Sequence, residues 1–500
     1  MPEPATAAER VASVMERWEA VIGIEVHCQL RTTSKMFCPC STAYDGAAPN
    51  THVCPVCLGL PGTLPTINRR AVELVIATGL AIEATIPERT QWERKNYFYP
   101  DLPKGYQISQ YAIPLAADGR LTVETSDGPF TVAIRRAHLE EDTAKLVHGD
   151  AAGAGGARTT LVDFNRSGAP LMEVVTEAVV RTAEQARRYA EELQVLLRAI
   201  GASDADMERG QLRVEANVSL RPRGTEPFGT RVEVKNMNSF RAVERAIGYE
   251  IERQARALEA GEPLHMETRG WDDGRQATYR MRAKETSDDY RYFPEPDLPP
   301  LRVDPAWIAR VRAALPELPA ARRLRYAGLG LSAYDAAVIV ADASMTAAFD
   351  AISAAGDVPA KEIANFVTGP HARELRTTGP NGEGLAGKGT AKDLTALLLA
   401  TVDGRVSRQV GRDLIVAHLA AGTPALDLLA SAGPGPISDD ETLLAHVDAV
   451  IAANPRAVTD HRAGRPVAGF LVGQVMKATG GAADAGRVAA LVRRRLDEAG

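Results

Sequence analysis

Two segments of the N-terminal half alternate hydrophobic and polar residues. Residues 212–220 place Leu, Val, Ala, Val and Leu at every second position, and residues 231–235 continue the same pattern. Strict alternation is the signature of a strand with one buried face. Segments 181–200 and 240–260 instead carry apolar residues with helical periodicity. Strands and helices do not alternate strictly as βαβ units, so we expect an α+β fold.

The pattern changes near residue 300. Residues 294–300 contain four prolines in seven positions, which stops regular structure. Beyond this point the chain is rich in Ala and Leu with helical periodicity, as at 305–315 and 336–354. A second break occurs near 433–436, Gly-Pro-Gly-Pro. The predicted organisation is an N-terminal extension (1–18), an α+β domain (19–305), a helical bundle (306–430) and a small all-helical tail domain (434–500).

Composition is that of an ordinary globular chain, with 45% hydrophobic and 24% charged residues and a net charge of −6. This charge gives no overall basic field, although a local patch can still bind RNA. The first twenty residues contain no apolar signal core, and no run of eighteen apolar residues occurs. We therefore expect a cytoplasmic protein without a membrane span.

Four of the five cysteines lie in a paired motif. Cys38 and Cys40 are followed, after thirteen residues, by Cys54 and Cys57. This spacing and ligand number suit a closed, tetrahedral zinc site. The alternative is four buried cysteines without a metal. The fifth, Cys28, is expected to be a small buried apolar residue.

Glu25 and His27 share one face of a predicted strand, because they are two residues apart. Alone, such a pair is more often a hydrogen-bonded surface pair. Further acids change this interpretation: Glu140 and Glu141 follow a basic segment, and Glu215 and Glu233 lie in the two alternating strands. Magnesium sites are built from a few carboxylates, water and substrate phosphates. A phosphoryl-transfer site is therefore a second prediction, against solvated carboxylates as the alternative.

Residues 95–111 combine four tyrosines with two lysines and several amides, and residues 280–294 combine arginines, a lysine and tyrosines. Loops of this kind carry ligands more often than they carry stability. Their cations can bind phosphate, and their rings can stack on a base. The alternative is a solvated, tyrosine-rich surface loop.

These segments together resemble one family, the B subunits of tRNA-dependent aspartyl/glutamyl-tRNA amidotransferases (GatB). The similar stretches are 21–30, 95–111, 134–145, 163–177, 212–220, 233–239, 285–298 and 468–480. The resemblance covers the chain from about residue 19 to residue 500, so the extension lies outside it.

The resemblance implies a glutamine-synthetase-like catalytic domain that uses ATP to phosphorylate the side-chain carboxylate of misacylated Glu-tRNA(Gln) or Asp-tRNA(Asn). Ammonia then displaces the phosphate. The ammonia would come through a channel from an amidase partner, the A subunit of the enzyme. A small third protein, the C subunit, would complete a heterotrimer. The helical bundle and tail domain would contact tRNA.

By position, the resemblance implies Mg²⁺ ligands at Glu25, His27 and one of Glu140 and Glu141, with Glu140 favoured. It also implies zinc at the four cysteines. The implied substrate and ATP contacts are Lys104, Arg213, Glu215, Glu233, Lys235, Arg282 and Lys284, with Tyr97, Tyr99 and Tyr106 lining the pocket or channel.

Two alternatives accompany this interpretation. One is the archaeal-type paralogue that serves Glu-tRNA(Gln) alone, which carries an inserted domain between the catalytic and helical regions. No such insertion is visible across residues 294–305. The other is a zinc-stabilised RNA-binding scaffold without catalysis, which the retained carboxylates argue against.

Overall fold

The computed structural model describes residues 7–152, 158–283, 290–374, 388–432, 437, 439–462, 465–480 and 483–498. The chain divides into two compact units, residues 1–318 and residues 319–500. The predicted Lys284 contact lies outside the described residues. Arg282 lies on a strand, opposite Thr268, but its side chain is not among those described.

The first unit contains fifteen strands within its described residues, and the first of them begins at residue 18. They are β1 (Trp18–Gln29), β2 (Arg89–Thr90), β3 (Glu93–Asn96), β4 (Tyr106–Ser109), β5 (Ala116–Thr125), β6 (Gly128–Glu141), β7 (Lys145–Ala152), β8 (Arg158–Asp163), β9 (Pro170–Thr176), β10 (Leu212–Pro222), β11 (Val232–Met237), β12 (Glu267–Asp272), β13 (Ala277–Ala283), β14 (Phe293–Pro294) and β15 (Leu301–Arg302). Within the described ranges, eight of them form one sheet in the order β13-β12-β11-β10-β1-β9-β6-β5. The sheet is antiparallel except where β11 meets β12.

Helices of this unit are α1 (Ala7–Arg17), α2 (Arg69–Ala81), α3 (Ala183–Ala199), α4 (Phe240–Glu259) and α5 (Pro305–Ala313). The predicted helices at 181–200 and 240–260 are confirmed as α3 and α4. The side chain of Thr182 accepts from the backbone N–H of Gln185, whose side chain bonds back to the cap, so both ends of a capping box are present. The side chain of Ser239 caps α4 by accepting a single hydrogen bond, from the backbone N–H of Ala242.

The central strand β1 shows why the two sheet faces differ. Ile22, Ile24 and Val26 are fully buried in the apolar core with residues of α2, α3 and α4. Glu25 and His27, at the alternating positions, point to the opposite face. Strands β9, β10 and β11 likewise place apolar residues in the core (Met172, Val214 and Val234) and the adjacent carboxylates on the other face (Glu173, Glu215 and Glu233), so one face packs under helices and the other carries charged groups. This arrangement confirms the predicted α+β class.

The amphipathic extension forms α1 and packs on α4, with Arg10 Nε 3.0 Å from Glu252 Oε2. At the other end of the unit, Trp307 of α5 donates its indole N–H to Glu73 of α2 at 3.1 Å. Helix α5 therefore packs within the first unit, which extends to residue 318.

The regular elements of the second unit, within its described residues, are helices, and one isolated β-bridge joins Ile437 to Ala483. Its helices are α6 (Pro319–Gly328), α7 (Ala333–Val340), α8 (Ala343–Ala355), α9 (Ala360–Phe366), which runs into a wide turn at Val367–His371, α10 (Ala391–Val402), α11 (Arg408–Ala421), α12 (Ala425–Ser431), α13 (Asp440–Ala453), α14 (Pro455–Arg462), α15 (Ala468–Ala478) and α16 (Ala485–Glu498). The helical periodicity predicted at 336–354 is confirmed. It covers two helices, because the side chain of Asp342 accepts a hydrogen bond from the N–H of Met345 and begins α8. The tail helices share a core of their own, which includes Leu443, Leu471 and Val488.

Across the described ranges, no single helix is long and apolar enough to cross a membrane. Helices α7 and α8 reach that length and composition only as a pair, bent by 114°.

Candidate active site and metal centre

The four paired cysteines meet in the connection between β1 and α2. Their sulfur atoms all lie within 4.8 Å of one another, and Cys54 Sγ is 3.9 Å from Cys57 Sγ. Zinc–thiolate bonds of about 2.3 Å in a tetrahedron require sulfur separations of about 3.8 Å. The backbone N–H of Cys54 also donates to Cys57 Sγ at 3.2 Å. This group, called the cysteine cluster below, therefore fits a metal ion.

Cys28 lies apart from this cluster. Its side chain is fully buried in the sheet core, and burial raises the pKa of its thiol to about 12. A thiol with such a pKa is protonated at neutral pH and is a poor nucleophile. The predicted burial of Cys28 among apolar residues is confirmed.

His27, Glu140 and Glu173 meet on the polar face of the sheet. His27 Nε2 is 3.6 Å from Glu140 Oε1 and 3.7 Å from Glu173 Oε2. The side chain of Glu140 is 2% exposed and that of His27 is 16% exposed. One imidazole and two carboxylates in reach of a common point suit a divalent cation. We call these three residues the imidazole–carboxylate cluster.

Strand register brings these residues together from distant parts of the chain. His27 of β1 pairs with Glu173 of β9, and Glu173 pairs with His138 of β6. Glu140 lies two residues beyond His138 on the same face of β6. Glu173 was not among the residues predicted from sequence. The sequence shows Glu173 only as a single carboxylate within an apolar strand. Its contacts with His27 and His138 become evident only when the pairing of the strands is known.

Neighbouring side chains keep the carboxyl group of Glu173 ionised. Burial alone would raise the pKa of Glu173, but His138 and His27 hold the pKa of that carboxyl well below its ordinary value. His138 Nε2 is 3.3 Å from Glu173 Oε2. Burial would likewise lower the pKa of Lys95, but Glu140 and Glu173 raise it well above its ordinary value. The cluster therefore faces the positive charge of Lys95. In the sequence, Lys95 belongs to a tyrosine-rich segment, and the pattern alone predicts no specific role for it.

Glu25 belongs to a second acidic group, with Glu215 and Glu233. A lysine already occupies this group: Lys235 Nζ is 2.8 Å from Glu215 Oε2 and 3.8 Å from Glu233 Oε1. Asn217 donates to Glu25 Oε1 at 2.8 Å. We call it the lysine-paired cluster. The predicted ligand set joined Glu25 to His27 and Glu140, whereas the structure brings His27 and Glu140 together with Glu173.

The neighbours Glu140 and Glu141 have different partners. Glu141 forms an ion pair with Lys104 and accepts the backbone N–H of Ile108 at 3.0 Å. Glu140 instead faces His27, with Ser109 Oγ 3.5 Å from its Oε2. This division supports Glu140 as the cation ligand of the two. It also gives the predicted Lys104 a carboxylate partner in the protein.

Arg213 is held by Asp142, with Nη2 3.1 Å from Oδ1. Burial would raise the pKa of Asp142, but Arg213 and Arg166 lower it, so this carboxylate stays charged. The side chain of Arg213 remains 36% exposed on the polar face, opposite His27 in register. It can therefore bind an anion from solvent while one edge is fixed.

The two tyrosine-rich segments meet, because β14 pairs with β3. Tyr97 lies edge-on to both Tyr99 and Tyr290, at centroid distances of 6.0 and 5.9 Å. Lys95 Nζ lies 5.1 Å from the ring centre of Tyr290. Tyr106 stacks under the guanidinium of Arg94 at 4.2 Å. Burial and the charge of Glu140 raise the pKa of Tyr97, so this ring lies near the imidazole–carboxylate cluster.

Comparisons with known proteins agree along nearly the whole chain. Residues 20–309 match the family described as the GatB/GatE catalytic domain, and residues 347–496 match the family described as the GatB domain. The chain is 48% identical over 481 residues to the aspartyl/glutamyl-tRNA(Asn/Gln) amidotransferase B subunit of Moorella thermoacetica, covering 96% of this chain and 100% of that protein. It is 47% identical to the proteins of the same name from Roseiflexus sp. (93% and 95% covered) and Anaeromyxobacter sp. (96% and 99% covered).

Proposed function

The chain belongs to the family of aspartyl/glutamyl-tRNA(Asn/Gln) amidotransferase B subunits, and from this premise we propose that it catalyses tRNA-dependent transamidation. Its substrates would be misacylated Glu-tRNA(Gln), Asp-tRNA(Asn) or both. The observation that carries the proposal is the imidazole–carboxylate cluster on the polar sheet face, because it supplies cation ligands beside basic side chains.

The reaction needs an activated carboxyl group, since oxide is too poor a leaving group for direct attack by ammonia. A side-chain carboxylate oxygen of the aminoacyl group attacks the γ-phosphorus of ATP, and ADP leaves with the electron pair of the broken P–O bond. Ammonia then attacks the acyl carbon, phosphate leaves and the nitrogen loses a proton. The polar face must exclude water, which would hydrolyse the acyl phosphate.

His27, Glu140 and Glu173 are the residues that would hold Mg²⁺. Glu173 takes the place that the sequence-based prediction gave to Glu25, because Glu25 is bonded to Asn217 and grouped with Glu215 and Glu233 around a lysine. A bound Mg²⁺ supplies charge neutralisation for the phosphates during phosphoryl transfer. His138 fixes the orientation of Glu173 through its Nε2.

Basic residues around the cluster would bind the anionic substrate groups. Lys95 faces Glu140 and Glu173, and Arg213 offers its exposed edge to a phosphate or carboxylate. Lys104 and Lys235 are tied to carboxylates, so they would orient Glu141 and Glu215 in the resting site. Tyr97, Tyr99 and Tyr106 would shield the reacting groups from water. Arg282 and Lys284 stay predictions as phosphate contacts.

The cysteine cluster would hold structural zinc. All four tetrahedral positions are filled by protein sulfur, so none is open for substrate. Zinc would fix the connection between β1 and α2, and hence the strand that carries His27.

Ammonia would come from the amidase partner, the A subunit, and the small C subunit would complete a heterotrimer in the cytoplasm. The coverage of full-length B subunits supports this proposal over the archaeal-type paralogue. A non-catalytic RNA scaffold would have no use for the imidazole–carboxylate cluster.

The test is ATP-dependent conversion of Glu-tRNA(Gln) to Gln-tRNA(Gln) by the chain in complex with its partner proteins, using ammonium chloride as the nitrogen donor. Ammonium bypasses the glutaminase, so conversion would locate activation and amide formation on this chain. Absence of conversion with intact tRNA binding would instead support the scaffold.

A further inference from the structure

Lys35 is the largest charged side chain that is fully buried in the described structure. It is 1% exposed, between the strand end of β1 and the cysteine cluster. Its Nζ lies 3.6 Å from Cys57 Sγ and 3.4 Å from the backbone oxygen of Phe164. The proposed transamidation chemistry makes no use of this residue.

A buried ammonium needs an anionic partner, because removing it from water costs several kcal/mol unless it is paired. The Phe164 carbonyl satisfies a hydrogen bond but carries no net charge. In the described part of the chain, no ion pair joins Lys35 to a carboxylate, and Glu141, across Gly168, pairs with Lys104. The negative charge nearest to Lys35 is therefore that of the cysteine cluster.

Four thiolates around a divalent cation carry a net charge of −2, and in a buried site this excess is itself destabilising. We propose that Lys35 is the charge partner of the cysteine cluster and that its ammonium, donating to Cys57, is needed to retain the metal. This inference rests on the proposed zinc site. It also explains why a lysine occupies a position where an apolar residue would fill the same volume.

Hydrogen bonds of the same loop provide a matched control. Ser167 donates to the backbone oxygen of Cys57 at 3.2 Å, and the N–H of Met36 donates to the backbone oxygen of Gly168 at 2.8 Å. Ser167→Ala removes one bond to the cysteine loop without changing any charge. It separates charge compensation from simple packing of the loop.

The experiment compares zinc retention in the full chain for the parent, Lys35→Met and Ser167→Ala. Zinc per chain and the rate of zinc transfer to a chromogenic chelator are measured at neutral pH. Loss of a group that supports metal ligands typically weakens metal binding about 10–100-fold. We expect Lys35→Met to lose zinc at least about tenfold faster than the parent, and Ser167→Ala to stay within about twofold of it.

A second readout is thermal unfolding with zinc and after zinc removal. The decrease in melting temperature caused by Lys35→Met should be larger in the zinc-loaded protein, because stability and metal binding are linked. Equal decreases in both states, or equal zinc loss in Lys35→Met and Ser167→Ala, would overturn the inference.

If Lys35→Met does not fold, Lys35→Gln keeps a hydrogen-bond donor and removes the charge, and the same tenfold loss is expected. If the parent binds zinc and both Lys35 variants retain it equally well, the proposed role of Lys35 is refuted, whereas the proposed zinc site is not. A parent that binds no zinc would refute the zinc site and this inference together, while the transamidation assay would stay independent of that result.

Discussion

The cysteine cluster and the imidazole–carboxylate cluster are two candidate cation sites of opposite design. The first takes four sulfur atoms from one connection of the chain and fills every position of a tetrahedron. The second takes one imidazole and two carboxylates from three strands, which leaves positions for water and phosphate. A closed set of ligands stabilises a fold, whereas an open set can bind substrate. From this difference we propose a structural role for the first site and a chemical role for the second.

Zinc removal should have the largest effect on stability. If zinc is present at about a thousand times its dissociation constant, chelation should lower the free energy of unfolding by about 4 kcal/mol. Thermal unfolding with and without chelator measures this change. Cys28→Ala should keep the full zinc content, because Cys28 lies outside the cluster. Zinc loss in that variant would contradict the assignment of ligands.

Glu173→Gln should have the largest effect on activity. Gln has nearly the same shape but loses the charge that would hold the cation, so we expect about a hundredfold lower ATP-dependent transamidation, or about 3 kcal/mol. Zinc content and melting temperature should stay close to the parent. Glu177→Gln is the control, since Glu177 follows the same strand but pairs with the exposed Arg135. Parental activity in Glu173→Gln would remove this cluster from the mechanism.

Lys235→Met should destabilise the lysine-paired cluster by about 2 kcal/mol, because three carboxylates would then face one another without a cation. Burial would lower the pKa of Lys235, but Glu215 and Glu233 raise it. A lysine whose pKa is raised by folding stabilises the fold fully at pH values below its pKa in the unfolded chain. This stabilisation is lost as the pH rises through its pKa in the folded protein. The difference in the free energy of urea unfolding between variant and parent should therefore persist at neutral pH and become smaller above about pH 10.4. A difference that does not change with pH would indicate that the variant has lost packing contacts only.

Arg135→Ala should have the smallest effect. Arg135 Nε lies 2.9 Å from Glu177 Oε1, but the two side chains are 62% and 42% exposed. Exposed ion pairs contribute no more than about 1 kcal/mol and commonly less. The free energy of unfolding in urea should change by about 0.5 kcal/mol or less, with activity unchanged. A large loss of activity would show that Arg135 takes part in substrate binding.

The two clusters also differ in what a sequence reveals. The cysteines could be assigned together, because ligand spacing within one loop is a local property of the chain. The alternation at Glu25, His27, Glu215 and Glu233 likewise placed these residues correctly on strands. Which acid meets which imidazole depends on strand order, and β9 inserts between β1 and β6. Glu173 was missed for this reason.

The helical periodicity at 336–354 is confirmed, but periodicity alone does not show where one helix ends and the next begins. The apolar periodicity at 336–354 continues through Asp342, yet its side chain offers the N–H of Met345 a capping bond and starts a new helix. Periodicity reports which residues face a core, whereas a cap decides where a helix begins. The buried pairing of Lys35 with Cys57 could not be foreseen either, because it depends on the packing of the cysteine loop against the turn at Phe164.

The most direct test of the account is manganese binding, followed by electron paramagnetic resonance, in the full chain with ATP present. Mn²⁺ replaces Mg²⁺ at oxygen-rich sites. Glu173→Gln should lose the tightest Mn²⁺ site, and Glu233→Gln should retain it, because Lys235 already occupies the second cluster. Loss of that site in Glu233→Gln, with normal binding in Glu173→Gln, would contradict the assignment of chemistry to the imidazole–carboxylate cluster.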